Sequence, residues 1–286
     1  MARRRCGLPG KGSIYFCCVC RNSSDMQIVA CQLDCAWEDK TANYVRVRSL
    51  LELAKPAAGA LVVLPEMFST GFSMNVAGIH EGRPSETESF LATTAKDYGA
   101  FVLGGLVTMD ADGRGRNEAV VFDPEGKLLC RYAKIHPFSF GGESKHYAPG
   151  TEIVTFRWHD FVAAPFICYD LRFPEVFRIA TRRGANLIAV IANWPARRVS
   201  HWVALLQARA IENQAYVVGV NRVGNDPKLA YPGRSLIVDP LGEIVAEGSD
   251  REGFVSADVD LGKVNSWRNE FPALKDIRPG FINDRS

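Results

Sequence analysis

The stretch "AAPFICYDLRFPEVFRIATRRGAN", Ala163–Asn186, decides the fold. An apolar run, Phe161–Cys168, stops at a cysteine, and Tyr169, Asp170 and Arg172 follow at once. A short apolar run of this length reads as a buried strand. Helical spacing then places Phe173, Val176, Phe177 and Ala180 on one face, with Pro174 near the first turn and Gly184 just past the end, the usual start and stop signals. "NLIAVIAN" is the next strand. Alternating strand and helix predict an α/β fold.

The pattern repeats on either side. Upstream, "MQIVACQL" and "ALVVLPE" are strands, and "TANYVRVRSLLELA" between them is a helix whose buried face is expected to hold Tyr44, Val47, Leu50, Leu51 and Leu53–Ala54. "ETESFLATTAKDYGA" is a helix ended by Gly99, and "FVLGGLV" is a strand. "NEAVVFDPEGKLLCRYAK" is a hairpin turning at Asp123–Gly126, and "EIVTFRWHDFVAAPFIC" is a second hairpin. Downstream, "SHWVALLQARAIENQA" is a helix capped by Ser200, and "YVVGVNRV", "RSLIVDPLGEIVAEG" and "GFVSADV" supply four further strands. So many hairpins do not suit one doubly wound sheet. Two sheets with helices on their outer faces fit better. Without a repeat or linker, residues 26–286 read as one domain. Residues 1–25 differ in composition and read as a leader, disordered or from a wrongly assigned start.

Composition narrows the function classes. The chain has 286 residues, 47% hydrophobic and 23% charged, ordinary for a globular protein able to bury a full core. Its net charge is +2, yet Arg3, Arg4, Arg5, Lys11 and Arg21 face only Asp25 in the leader, so the remainder is slightly acidic. That balance does not suggest a nucleic-acid partner, and no apolar run approaches the ~18 residues that span a bilayer. Eight cysteines lack the paired spacing of a zinc site. A domain of this size does not depend on disulfides, so reduced thiols in the cytoplasm are expected.

Three apolar strands end in chemically useful residues: "LVVLPE" at Glu66, "LLCRYAK" at Lys134 and "APFIC" at Cys168. A cysteine attacks carbon as thiolate, and its ordinary pKa near ~8.5 leaves little ionised at neutral pH. A carboxylate such as Glu66 can take the proton and later activate water. Lys134 can favour the thiolate and stabilise a tetrahedral oxyanion, with the backbone N–H of Tyr169 as a second donor at a strand-to-helix turn. A Cys–His arrangement using His136, His146 or His201 is a competing mechanism, and a non-catalytic binding module is another.

The segments "LPEMFSTGFSMN", "YAKIHPFSFGGESKHYAPG", "FICYDLRFPEVFR", "IANWPARRVSHWVALLQARAIENQAYVVGVNRVG" and "YPGRSLIVDPLGEIVAE" resemble the nitrilase, or carbon–nitrogen hydrolase, superfamily. The resemblance runs from about Met26 to Phe281. It implies a four-layer α-β-β-α sandwich, a Glu66–Lys134–Cys168 triad and a further glutamate at Glu143 beside it. Neither a metal nor an organic cofactor is implied. Homodimers by helix packing are implied, with "VSHWVALLQARAIENQAY" in the contact; Arg209 and Glu212 can pair on that helix. Within the family the chain looks most like the omega-amidases, which hydrolyse short dicarboxylic monoamides such as 2-oxoglutaramate. An N-carbamoyl-amine or aliphatic amidase is the alternative. A monoamide acid needs a cation for its remote carboxylate. Arg172, Arg197 and Arg198 are the candidates, with Asn193 and Trp194 of "ANWP" beside them as substrate-binding residues.

Overall fold

A computed structural model describes residues 26–82, 85–278 and 280; the leader read over residues 1–25 lies outside them. The chain runs β1 (Met26–Gln32), α1 (Lys40–Ala54), β2 (Leu61–Val63), α2 (Val76–Ile79), α3 (Glu86–Tyr98), β3 (Phe101–Met109), β4 (Gly115–Phe122) and β5 (Leu128–Ala133). It continues through β6 (Phe156–Trp158), β7 (Phe161–Ile167), α4 (Pro174–Arg182), β8 (Leu187–Ala192), α5 (Val199–Asn213) and β9 (Tyr216–Asn221). It ends with β10 (Val223–Asn225), β11 (Ala230–Pro232), β12 (Leu236–Val238), β13 (Ile244–Glu247), β14 (Gly253–Val259) and α6 (Leu261–Glu270).

Two six-stranded sheets result, ordered β14-β1-β2-β3-β4-β5 and β13-β12-β9-β8-β7-β6, with β10 and β11 as a separate ribbon. Each sheet has three parallel strands, β1-β2-β3 or β7-β8-β9, flanked by antiparallel ones. Side-chain alternation shows why the sheets stack. Ile28, Ala30, Leu61, Val63, Leu103, Ala119 and Val121 of the first sheet face the second. The intervening Val29, Cys31, Val62, Val102, Val120 and Phe122 face α1 and α3. Period-two strands carrying apolar residues on both faces must be covered on both. Helices α4 and α5 cover the outer face of the second sheet, placing Phe177, Trp202 and Leu206 in its core. The expected four-layer α-β-β-α sandwich is observed.

Local departures have local causes. Leu53 is 72% exposed, because the buried face of α1 is set by Asn43, Val47, Leu50 and Leu51. Ser200 does not cap α5: a tight turn over Ala196–Arg198 leads straight in, Arg198 is the cap residue, and Ser200 lies in the first helical turn. Gly99 ends α3 in the left-handed conformation, as read, and a Ser85–Glu88 capping box starts it.

Gly105 of β3 permits a close crossing of two chain segments. A Cβ there would sit 2.5 Å from the Met67 backbone nitrogen and 2.8 Å from the Glu66 Cα. Only glycine lets the chain after β2 cross so close to its neighbour strand. Gly105→Ala is therefore expected to cost about 1–3 kcal/mol, the range for overpacking a filled site. Gly253→Ala, whose Cβ meets nothing within 4 Å, should fall within about 0.5 kcal/mol of the parent. Urea denaturation of the two variants checks this.

Candidate active site

The carboxyl ends of parallel strands are where open α/β sheets collect functional groups. Here β2 leads to Glu66, β7 to Cys168 and β8 to Asn193, and the antiparallel β5 leads to Lys134. Glu66, Lys134 and Glu143 are buried to 0–1% exposure. Lys134 Nζ donates to Glu66 Oε1 at 2.8 Å and to Glu143 Oε2 at 2.8 Å, lying between two carboxylates. Asn117 of β4 donates its one amide nitrogen to both, at 2.7 Å to Glu66 Oε1 and 2.8 Å to Glu143 Oε1. Gly142, with φ 82°, turns the loop so that Glu143 points inward, where the Phe138 N–H also donates to it at 2.5 Å.

Cys168 follows β7 directly and has φ 46°, a left-handed conformation that costs a non-glycine residue energy. Strain of this kind is held only where surroundings over-determine it. The sulfur lies 3.9 Å from the Asn193 carbonyl oxygen. Asn193 in turn grips Glu66: its backbone N–H donates to Oε2 at 2.8 Å and its side chain to the Glu66 carbonyl at 2.7 Å. Asp170, inside the turn that follows β7, is fully buried and accepts from the Tyr132 hydroxyl at 2.7 Å and the Ile167 N–H at 3.1 Å.

Charge follows from this packing. Burial works against the Lys134 ammonium, but Glu143 and then Glu66 outweigh it and hold its pKa well above the lysine norm. Burial would raise Glu66, yet the charge and hydrogen bond of Lys134, with those of Asn117 and Asn193, bring it below the ordinary carboxylate value. Glu143 ends above that value: burial lifts it, Lys134 only partly offsets this, and the Glu66 charge adds to the rise. The Cys168 thiol is pushed well up, first by burial and then by Glu66, with Lys134 opposing. Of the other free cysteines, burial alone raises Cys31 to about 12, and Cys130 reaches about 12 against a slight pull from Arg131. Neither has a carboxylate–lysine pair beside it. Among the described residues, no group of three or more His, Cys, Asp or Glu side chains is placed to hold a metal ion.

A cleft opens over Cys168, bounded by Phe138, Arg172, Trp194, Arg198 and Tyr231. The Arg172 guanidinium lies 4.9 Å from the Trp194 ring centre, and that of Arg198 lies 5.3 Å from the Phe138 ring centre. Arg197 instead borders the adjoining groove, with Trp37 and Lys228. Asn193 lines the cleft, but its amide nitrogen is spent on Glu66. Trp194 donates its ring N–H to the Arg198 carbonyl at 2.7 Å. The histidines weighed as partners bond elsewhere: His136 Nδ1 to Asp170 at 2.9 Å, His201 Nδ1 to Arg172 at 3.3 Å. His146 borders a separate surface hollow with Lys145. Asn117 and Asp170 were not anticipated. Each is polar within an apolar segment or motif, a signal visible in the chain, but their partners are not.

Replacing Lys134 by Met leaves two buried carboxylates uncompensated, which should cost about 3–5 kcal/mol at neutral pH. In the parent, the depressed Glu66 contributes stability that is present above its unfolded pKa and lost as pH falls through the folded one. In the variant, burial and mutual repulsion raise both carboxylates, so stability is present in acid and lost as pH rises. The gap between parent and Lys134→Met should therefore widen from pH 5 to pH 7.5. Denaturant titrations at the two pH values measure it; a constant gap contradicts the electrostatic account.

The family described as carbon-nitrogen hydrolase matches residues 27–269. The omega-amidase YafV of Yersinia enterocolitica is 38% identical over 257 residues, covering 88% of this chain and 97% of its own. The 2-oxoglutaramate amidase of Bacillus subtilis is 35% identical over 248 residues, covering 86% and 95%. A CN-hydrolase superfamily protein of Xanthomonas campestris, solved with an arsenic adduct in its active site, superposes with a TM-score of 0.83 at 33% identity, covering 89% and 97%. On the family match and these identities, the chain belongs to the carbon-nitrogen hydrolase family.

Proposed function

We propose that this enzyme is an omega-amidase, releasing ammonia from the terminal amide of short dicarboxylic monoamides through a Cys168 thioester. One observation carries the reading: the cysteine at the floor of the cleft adjoins a buried Glu–Lys–Glu cluster, while Arg172 and Arg198 on its walls have no carboxylate partner among the described residues. The names of the relatives support the same substrate class.

Cys168 Sγ attacks the amide carbon as Glu66 takes the thiol proton. The oxygen gains negative charge and is met by the Lys134 ammonium and the Tyr169 N–H. Glu66 returns the proton to nitrogen, the C–N bond breaks, ammonia leaves and a thioester remains. Water then attacks the thioester, with Glu66 again accepting a proton, and the acid departs as Cys168 is restored. Glu143 contacts Lys134 rather than the reacting atoms and keeps its ammonium aimed. Arg172 and Arg198 hold the remote carboxylate, Trp194 packs beside them, and Arg197 attracts the anion from the adjoining groove. Asn193 shapes the cleft floor. An N-carbamoyl-amine would leave the two arginines without a use unless it too carried an anion.

The reading extends to a homodimer packed through α5, whose outward positions include Ala204 and Ile211, with Ile211 54% exposed. Arg209 and Glu212 pair at 2.9 Å, but Arg209 also donates to the Leu171 carbonyl and is 4% exposed, so it supports the fold of one protomer. Among the described residues, four free thiols suit a cytoplasmic enzyme, and no helix is long and apolar enough to cross a membrane.

Cys168→Ser should abolish nearly all ammonia release from succinamate while melting like the parent. Mass spectrometry of the parent, quenched in turnover, should show the acyl adduct on the Cys168 peptide. Full activity in the serine variant would sink the mechanism. For the arginines, Arg172→Ala or Arg198→Ala should raise KM for succinamate about 10–100-fold, as charge-assisted hydrogen bonds are worth roughly 1.5–3 kcal/mol. Butyramide, equal in length but neutral, should be nearly unaffected. Parent-like ratios of the two substrates in both variants would remove the anchor assignment.

A further inference from the structure

Asp170 sits in the nucleophile turn, is 0% exposed and does not border the cleft, yet its two oxygens accept four hydrogen bonds. Oδ2 accepts from the Tyr132 hydroxyl at 2.7 Å and from the N–H of Ile167, the residue before Cys168, at 3.1 Å. Oδ1 accepts from the His136 N–H and from His136 Nδ1, both at 2.9 Å. The donors bracket the two reacting groups. Tyr132 and His136 lie two residues before and two after Lys134; Ile167 and Asp170 lie on either side of Cys168. Lys134 extends from the first sheet and Cys168 from the second. One carboxylate thus ties the end of one sheet to the end of the other, across the gap in which the chemistry takes place.

A second feature strengthens the tie. The His136 ring stacks on Phe173 with centroids 3.8 Å apart, so the imidazole that donates to Asp170 is held by the residue entering α4. A buried carboxylate with this many donors is costly to disturb, since each would lose its acceptor.

We propose that Asp170 is the positioning residue that fixes the Cys168 sulfur relative to the Lys134 ammonium. It touches neither substrate nor reacting atoms and acts through the backbone of the nucleophile turn and of the chain around Lys134. This rests on the triad reading above and adds the group that assembles it. Tethering also accounts for the left-handed Cys168: with Ile167 and Asp170 both fixed by the one carboxylate, the two residues between them have little choice of backbone angle.

The test uses iodoacetamide, a neutral reagent that reports the Cys168 thiol without any substrate, so failure of the omega-amidase assignment would be seen separately, as parent enzyme inactive on succinamate. Alkylation of the Cys168 peptide is followed by mass spectrometry from pH 6 to 10, beside melting and succinamate kinetics. Asp170→Asn should slow alkylation at pH 8 about tenfold, within the range by which coupled neighbours interact, and move the profile to higher pH. Its kcat should fall while KM stays near that of the parent. Lys134→Gln should also slow alkylation, and adding Asp170→Asn to it should bring little further change, because both remove the same cation from the sulfur. A parent-like pH profile and kcat in Asp170→Asn, with only melting lowered, would reduce Asp170 to a structural role and overturn the proposal. So would fully multiplicative effects in the double variant. Should Asp170→Asn fail to fold, Tyr132→Phe removes one donor and keeps the carboxylate. It should shift the profile the same way by a smaller amount, and an unshifted profile there would overturn the proposal.

Discussion

The structure turns on one buried cation between two buried carboxylates. Removing three charges from water is expensive, and only close, fully hydrogen-bonded geometry recovers the cost. Lys134, Glu66 and Glu143 achieve it with help from Asn117, whose single amide nitrogen serves both carboxylates. The surroundings are shaped to the same end. Gly105 lets the Glu66 chain pass close to β3, Gly142 turns Glu143 inward, and Asn193 grips Glu66 from the facing sheet. Two stacked sheets supply groups from opposite sides of one gap, which a single sheet could not do.

In the proposed mechanism the same cluster sets the chemistry. A cysteine protease of the Cys–His kind can rest as an ion pair, but here Glu66 stands beside Cys168 and pushes its thiol pKa up together with burial. Proton transfer to Glu66 in that mechanism would accompany C–S bond formation, as negative charge moves from sulfur to the amide oxygen. Lys134, whose ammonium Glu143 and Glu66 hold charged against burial, would meet that charge. In the proposed mechanism Glu143 steadies the cation and Glu66 exchanges the proton.

Much of this was legible in the chain, and what was not has a physical reason. The nucleophile turn could be read locally, because Pro174 and Gly184 mark α4 and an apolar run that stops at Cys168 marks β7. Glu66 and Lys134 stood out as polar residues at the ends of apolar strands. Their meeting could not be read from spacing, since 68 residues separate them and only the sheet order brings them together; the family motifs linked them instead. The roles of Asn117 and Asp170 are not readable in the chain because they consist largely of partners distant in sequence. Leu53 and Ser200 failed for a different reason. A helix face is set by the element it packs on, and a cap by the backbone that enters it, so periodicity and residue type alone misplaced both.

The arginines show how geometry refines a reading by composition. Three were candidates, and the fold separates them: Arg172 and Arg198 stand over the cleft with Cys168, while Arg197 opens to the groove beside it. Burial lowers the pKa of Arg198, and the charges of Arg197 and Arg172 lower it further. Such mutual repulsion is a standing cost, and a bound carboxylate would relieve it. Aromatic faces hold the two cleft guanidiniums meanwhile, Trp194 under Arg172 and Phe138 under Arg198, so less freedom is lost when an anion arrives. The Phe138 N–H also donates to Glu143. The ring beneath Arg198 thus belongs to the residue that helps hold the Lys134 cluster. If the proposed roles hold, substrate recognition and the catalytic charge are built on one short piece of chain, which would tie the position of the scissile amide to that of the Lys134 ammonium.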